Sequence, residues 1–494
     1  MELKNRNAGR TKFTDIFFYS TGDGVNSLVM NGIFAFAMLY YTEALGLNYA
    51  MAGIAMAVAT FWDAITDPLM AYISDNTKSR FGRRHPYMLL GGITTILSFY
   101  FIWAVPGSFR ADTDMLFWYL VVMNLLLRTS ITIFLVSYVA LGFEICTNYF
   151  DRAKLQGVKF GFNMAVNIAG PALAWTLFFK DPVDGTNATS IASNFIEMGW
   201  TFSIASLILL AIVLFATRKY IVDSRSSNDI EKFSFNLFVN YFKDIFSDKY
   251  SRVVFIFMMI VMLGIILVSS LQMYVYVYFM EFTAGQKSIV HGATMVGAGI
   301  GALIMPPLVN KWDKKPVAYY AVLVSVVSNV ILLLLFTTGF FPKDLVSTFA
   351  GYEIPVSMIV FLIFNSLYWM GSGVLNPLAF SMMADISEVG KYKTGVLKDG
   401  GYGATLSFLS KVAMSIGMLI TGYLLIGIGF VEGSENQSPE AINNLGSATF
   451  IVSAGIAIIA ALVIAKYPIN REFISRIKEA LAARERGEEV KLDI

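Results

Sequence analysis

Two aspartates, Asp63 and Asp67, lie one helical turn apart inside an otherwise apolar segment of the sequence. Residues at i and i+4 share one face of a helix. In a lipid bilayer each carboxylate is costly unless it faces water or binds a cation. Two carboxylates this close repel each other, so one holds a proton unless a cation lies between them. The pair predicts a site for Na⁺ or H⁺, without distinguishing the two ions. The alternative is a pair of polar residues buried between helices.

The composition indicates a membrane protein built around this pair. The chain of 494 residues is 56% hydrophobic and 15% charged, and its mean hydropathy is +0.62. Apolar runs of about 20 residues, the length that spans a bilayer, recur along the chain. They predict twelve spans, near residues 16–43, 49–74, 87–106, 115–142, 157–179, 196–217, 252–281, 289–309, 317–340, 354–381, 404–428 and 446–466.

The predicted fold is an all-α membrane protein with two bundles of six transmembrane helices. The expected domains are an N-terminal bundle (1–217), a cytoplasmic linker (218–250), a C-terminal bundle (251–466) and a cytoplasmic tail (467–494). An amphipathic helix at 233–242 could lie on the membrane surface, and the tail is expected to form a solvated helix. With one cysteine and two histidines, a disulfide or a thiolate metal cage is excluded, and a zinc or haem enzyme is disfavoured.

Lysine and arginine are distributed unevenly among the predicted loops. One side of the membrane has only Arg110, Lys180, Lys287 and Lys343, whereas the other side has the remaining basic clusters and the tail. Because basic loops stay in the cytoplasm, both termini are predicted to be cytoplasmic. The expected location is the inner (cytoplasmic) membrane.

A basic turn follows the aspartate pair, between spans two and three, and a weaker counterpart occupies 309–316 between spans eight and nine. Parallel six-helix repeats of this kind are typical of major facilitator transporters. The residues that could latch cytoplasmic helix ends are Asp75, Arg80, Gly82, Arg83, Arg84, Asp385 and Glu388. The alternative is that these arginines only set the topology.

Residues 62–68 (WDAITDP) and 79–84 (SRFGRR) resemble the signature of the glycoside–pentoside–hexuronide:cation symporter family of the major facilitator superfamily. Further similarity lies before and after these motifs, at 40–47, 138–144, 149–155, 383–388, 394–395 and Lys411. There are departures: Thr60 stands where the family usually has an arginine, and Ser137 where it often has proline. The resemblance therefore carries the mechanism better than the sugar specificity.

Further polar residues in the spans are candidates for the two sites, and the resemblance supports Lys159 and Lys411 among them. Neutral oxygens from Asn26, Ser27 and Thr66 could complete the cation site, although helix packing explains them equally well. The candidates for substrate binding are Asp23, Arg128, Lys159, Tyr274, Tyr278, Asn376 and Lys411. Structural ion pairing is the alternative for Arg128, an interfacial position for the tyrosines, and snorkelling for Lys411.

The function implied by the resemblance is symport of a glycoside, oligosaccharide or related sugar with Na⁺ or H⁺ by alternating access. No enzyme activity and no cofactor other than the coupling ion are expected. The expected partners are a small sugar, a monovalent cation and the lipid bilayer, without nucleic acid, and the protein is expected to be a monomer. The alternatives are a cation-coupled transporter of lysolipids or other amphiphiles, a drug exporter, and a membrane sensor that does not transport.

Overall fold

The computed structural model describes residues 11–146, 149–180, 187–222, 243, 246–349, 352–394, 399–434 and 436–486. Within these ranges, twelve helices are long enough to span a membrane. They are α1 (Phe13–Gly32), α2 (Tyr49–Asp75), α3 (His85–Trp103), α4 (Thr113–Ile145), α5 (Tyr149–Leu177), α6 (Ala192–Thr217), α7 (Lys249–Tyr274), α8 (Ala284–Trp312), α9 (Lys314–Thr337), α10 (Val356–Thr394), α11 (Asp399–Gly427) and α12 (Pro439–Ala465). The predicted all-α membrane fold is confirmed.

Every predicted span overlaps one of these helices. Ten of the twelve also have the hydropathy of a membrane span, all except α1 and α5. These two helices carry polar residues within their length, among them Asp23 on α1 and Lys159, Asn163 and Asn167 on α5. Polar residues at membrane depth typically line a wet cavity or a binding site. The helices α1 and α5 are therefore candidates for lining such a site.

Several helix ends are explained by local sequence. The side chain of Asn48 accepts a hydrogen bond from the amide of Ala50 and caps α2, and Asp112 caps α4 in the same way. Pro86 lies in the first turn of α3, where its missing N–H costs nothing. α1 continues into two wider π-helical stretches, Ile33–Ala37 and Tyr40–Ala44.

Shorter elements occupy the connections. A short helix is formed by Gly107–Arg110, single 3₁₀ turns by Ala188–Ser190 and Arg218–Tyr220, and a π-helical end of α7 by Val275–Phe279. Two antiparallel strands, β1 (Val346–Phe349) and β2 (Tyr352–Pro355), lie between α9 and α10, with Phe349 opposite Tyr352. The sequence analysis did not predict this hairpin.

The chain divides into two compact units. The first contains Met1–Phe233, Tyr276–Gly292 and Met418–Ala441, and the second contains Ser234–Val275, Ala293–Gly417 and Ile442–Ile494. In the first unit, α4 packs against α2 and α3, while α1 packs against α5 and α6. In the second unit, α10 packs against α7 and α9. The helices that carry most of the predicted site residues are thus packed pairwise within the first unit.

Close backbone approach explains two glycines of α8, Gly297 and Gly301. A Cβ atom at Gly301 would lie 2.1 Å from the carbonyl oxygen of Met370, and one at Gly297 would lie 2.5 Å from that of Ser366. Any larger residue would push α8 away from α10. These glycines therefore form a packing seam, as small residues often do between membrane helices.

The tail forms a helix, α13 (Arg471–Glu485), but one of its faces is packed against the second unit. Ile477 and Ala480 are buried in the core of that unit, and the Arg484 guanidinium lies 4.2 Å from the ring centre of Tyr392. The expectation of a solvated helix is therefore wrong for this face. Apolar residues at helical spacing between the charges bury one side of the helix.

The proposed surface helix at 233–242 and most of the predicted linker lie outside the described residues. Where the linker joins α7, Asp248 accepts hydrogen bonds from the amide of Ser251 and from Lys393. Burial raises the pKa of Asp248, but these hydrogen bonds lower it by more, so that it lies below its ordinary value.

Candidate functional site

Two helices of the first unit, α2 and α4, bring two i, i+4 pairs face to face. Asp63 and Asp67 lie on α2, and Arg128 and Thr132 lie on α4. Asp63 is only 4% exposed, and Arg128 is only 5% exposed. Charged groups are therefore concentrated where the two helices pack, and each needs a partner there.

Asp63 and Arg128 form an ion pair. The guanidinium Nη1 atom lies 3.1 Å from Oδ2 of Asp63, and the guanidinium carbon lies 5.3 Å from the centre of the Phe34 ring. The arginine thus has both a carboxylate and an aromatic partner. Sequence analysis considered such an ion pair as the alternative to a substrate role for Arg128.

Thr132 joins the two carboxylates and was missed by the sequence analysis. Its hydroxyl lies 2.9 Å from Oδ1 of Asp67 and 3.4 Å from Oδ1 of Asp63. A hydroxyl has one hydrogen to donate and lone pairs that can bind a cation. The sequence could have indicated Thr132 through its position four residues after Arg128, because residues at i and i+4 share a helix face.

A second ion pair joins the polar residues of α1 and α5. Lys159 Nζ lies 3.5 Å from Oδ1 of Asp23 and 4.9 Å from the centre of the Tyr138 ring. Tyr138 is stacked on Tyr19 with ring centres 4.4 Å apart, and each tyrosine hydroxyl donates to the backbone carbonyl of the other. Stacking and hydrogen bonding hold the aromatic face beside the lysine in a defined orientation.

A ladder of neutral groups continues along α1 and α5. Asn163 donates to the hydroxyl of Ser27 over 2.7 Å, and Asn167 donates to the side-chain oxygen of Asn163 over 2.7 Å. Asn26 is half-buried on α1. Thr66 donates to the carbonyl of Trp62 within its own helix, over 3.2 Å. The ladder gives Ser27 a partner on α5, and sequence analysis missed both asparagines.

Comparison with known proteins identifies the family of this chain. The sequence model of the family described as MFS/sugar transport protein matches residues 18–471. The chain belongs to this family. A relative in Bacillus subtilis (strain 168), the uncharacterized symporter YnaJ, is 23% identical over 492 residues, covering 98% of each chain. A glucuronide carrier protein homolog of Escherichia coli (strain K12) is 23% identical over 454 residues, covering 92% of each chain.

Solved structures agree on the fold of this MFS sugar transporter family member. A point mutant of the nucleoside transporter NupG has a TM-score of 0.65 at 12% identity, covering 92% of this chain and 100% of that one. The predicted family and the major facilitator fold are therefore confirmed. The protein is a multi-pass membrane transporter of the sugar symporter type.

The basic turn after α2 forms a network with the end of α4. Arg84 is buried and pairs with Asp75 at 2.5 Å and with Glu144 at 3.0 Å. Arg83, which is more exposed, also pairs with Glu144, at 2.8 Å. Gly82 adopts a φ of 75°, a conformation that glycine adopts without strain. This geometry holds the ends of α2 and α4 together.

The observed network differs from the predicted set of latch residues in two ways, which concern Arg80 and Glu144. The exposed Arg80 guanidinium lies 4.6 Å from the centre of the Phe81 ring. Glu144, which accepts from both Arg83 and Arg84, lies within the segment that carries the family resemblance but was not predicted to be part of the turn. Its position at the end of α4 is the reason that it completes the network.

The second unit repeats this arrangement. Lys314, which begins α9, pairs with Asp385 on α10 at 2.6 Å, and the hydroxyl of Tyr467 donates to the same carboxylate over 2.9 Å. Glu388 pairs with Lys478 of α13 at 3.3 Å. In each unit, a basic residue of the turn thus contacts an acidic residue near the end of a neighbouring helix, in line with the predicted internal repeat.

The other four substrate candidates are divided between the two units. Tyr278 donates to the buried carboxylate of Glu43 within the first unit. Tyr274 is buried on α7, while Asn376 and Lys411 are half-buried on α10 and α11 of the second unit. The structure thus groups Asp23 with Lys159 and Asp63 with Arg128. Substrate binding by the other four candidates stays a prediction.

Proposed function

We propose that this protein is a symporter that imports a glycoside or related sugar together with one monovalent cation, by alternating access across the inner membrane. The observation that supports this proposal is the group formed by Asp63, Asp67, Arg128 and Thr132, in which Asp67 is half-buried and the other three residues are buried. The carboxylate and hydroxyl oxygens of Asp63, Asp67 and Thr132 lie close enough together to share one Na⁺, and either carboxylate can take up H⁺. Carboxylates within a membrane span are expected to bind such a coupling ion.

The substrate site is proposed at the Asp23–Lys159 pair. The carboxylate accepts and the ammonium donates hydrogen bonds, so together they can bind neighbouring hydroxyls of a sugar. The asparagines of α5 add further amide groups, and the buried Tyr138 ring supports Lys159 from within the protein. The relative named as a glucuronide carrier homolog supports glycosides, including sugar acids, as the class to test first.

Coupling to a cation would supply the free energy for accumulation. One positive charge that enters across about 100 mV contributes about 2.3 kcal/mol. That corresponds to roughly fifty-fold accumulation of a neutral substrate. Such a transporter needs no ATP, and the sequence has no phosphate-binding loop of the Gly-x₄-Gly-Lys-Ser/Thr type.

The test is uptake by the purified protein in proteoliposomes. A panel of labelled glycosides, one of them a glucuronide, would be measured with an inward Na⁺ gradient, an inward H⁺ gradient and neither. We expect accumulation above equilibrium with one of the two gradients only. Asp63→Asn and Asp67→Asn should each abolish this accumulation, because the uncharged amide cannot bind the ion in the same way.

The matched control is Asp114→Asn, which removes an exposed carboxylate at the start of α4 and should leave accumulation unchanged. Normal accumulation by either site variant would contradict the cation site. Transport of a labelled lysophospholipid, with no response to any glycoside, would instead favour the amphiphile alternative.

A further inference from the structure

The position of Arg128 has a consequence for the ion that the carboxylate pair binds. Its guanidinium Nη1 atom lies 3.1 Å from Oδ2 of Asp63, and its guanidinium carbon lies 5.3 Å from the centre of the Phe34 ring. Arginine keeps its proton under all ordinary conditions. The protein therefore carries its own positive charge on one of the two carboxylates.

This charge competes with a bound metal ion in two ways. An alkali ion binds through carboxylate and hydroxyl oxygens, and Arg128 already uses one oxygen of Asp63. The guanidinium also repels a second positive charge nearby, and this repulsion is strong in a buried site, where the effective dielectric constant is low. Thr132, one turn further along α4, contacts both acids and marks where an ion between them would be coordinated.

We propose that Arg128 is a resident cation of the Asp63–Asp67 pair, and that it weakens Na⁺ binding by competing for Asp63. This inference rests on the proposed cation site and adds the residue that sets its ion affinity. A pair without the arginine would lose one positive charge and its built-in competitor for Asp63. Removing Arg128 should thus convert the pair into a stronger alkali-ion site.

The experiment measures ion binding to the purified protein without any sugar. The melting temperature in detergent would be followed as NaCl replaces choline chloride at constant ionic strength, for the wild-type protein and for Arg128→Gln. We expect Arg128→Gln to lower the Na⁺ concentration at half-maximal stabilisation about tenfold, which is about 1.4 kcal/mol of binding free energy. An equal or higher Na⁺ requirement in the variant would overturn the proposal.

Two further variants make this result specific to the site. Arg110→Gln removes the same charge from the short helix Gly107–Arg110, where Arg110 donates to the carbonyl of Val105, and should leave the Na⁺ response as in the wild type. Adding Asp63→Asn to Arg128→Gln should abolish the gain, because the negative carboxylate that the arginine releases is then replaced by a neutral amide. A gain that survives Asp63→Asn would show that Na⁺ binds elsewhere and would overturn the assignment.

Arg128→Lys decides the matter if Arg128→Gln does not fold. Lysine keeps the positive charge, so the low wild-type affinity for Na⁺ should persist, whereas a tenfold gain in this variant would contradict a resident cation. The assay needs no transported substrate. A failure to find a transported glycoside would therefore count against the proposed function, and only the Na⁺ titrations count for or against the role of Arg128.

Discussion

At the scale of single residues, Thr132 has the most specific role in the carboxylate group. Its hydroxyl contacts both acids, at 2.9 Å and 3.4 Å. Asp63 also has Arg128 as a partner, so the two carboxylates differ in their surroundings but share this hydroxyl. Thr132 is therefore a group through which the two carboxylates can respond together to a bound ion.

Thr132→Val should raise the concentration of coupling cation at half-maximal uptake about tenfold, because valine has the shape of threonine without its donor and ligand oxygen. Thr132→Ser retains the hydroxyl and should stay near the wild-type value. The measurement is sugar uptake in proteoliposomes as a function of the cation that drives it.

Thr129→Val is the matched control for this prediction. Thr129 lies on the same helix and accepts a hydrogen bond from the Trp62 indole, so its hydroxyl serves a different contact and its loss should leave the cation dependence unchanged. Equal cation dependence of Thr132→Val and the wild type would show that the Thr132 hydroxyl is not a ligand.

At the scale of elements, the turn between α2 and α3 distinguishes two adjacent arginines. The side chain of Arg84 is 7% exposed and contacts Ser74, Asp75 and Glu144. The side chain of Arg83 is 43% exposed and contacts Glu144. The partners Asp75 and Glu144 are 43% and 32% exposed, so the Arg84 pairs lie between a buried pair, which costs about 3–5 kcal/mol to break, and an exposed pair, which contributes roughly 0–1 kcal/mol.

Arg84→Ala should therefore lower both the melting temperature and the maximal transport rate far more than Arg83→Ala. Substrate affinity should change little in either variant, because the turn follows the C-terminal end of α2 and contains none of the proposed sugar-binding residues. The measurements are thermal unfolding in detergent, equilibrium substrate binding and initial uptake rates. Equal effects of the two substitutions, or a loss of affinity at an unchanged maximal rate, would argue against a latch.

At the scale of the whole molecule, the distribution of basic residues predicts the orientation in the membrane. Loops on the side of Arg80, Arg83 and Arg84 carry most of the positive charge, and such loops stay in the cytoplasm. The strands β1 and β2, on the other side of the predicted topology, should face outward. Both chain termini should then face the cytoplasm.

Single cysteines can test this orientation, since Cys146, the one native cysteine, is buried. A membrane-impermeant maleimide applied to whole cells should label Asp344→Cys, before β1, and should not label Arg476→Cys, on α13. Both native side chains are exposed. After permeabilisation both variants should react, which controls for accessibility. Labelling of Arg476→Cys in intact cells would reverse the predicted orientation.

The sequence by itself determined the class of protein, the approximate positions of twelve long helices and the carboxylate pair. These follow from local properties: apolar length sets a membrane span, and a spacing of four residues sets a shared helix face. The same reasoning could not identify Thr132 or Asn163, because threonine and asparagine occur in many spans and nothing local marks the ones that meet a charge or a polar partner.

Only the tertiary structure decided which charges meet. Arg128 had several acids available in its half of the sequence, and the packing of α4 against α2 selected Asp63. The packing of α1 against α5 likewise selected Asp23 for Lys159. A buried charge is stable only beside a partner, but which partner it has depends on the contact between helices far apart in sequence. The sequence therefore specifies the charges, whereas helix packing determines their pairing.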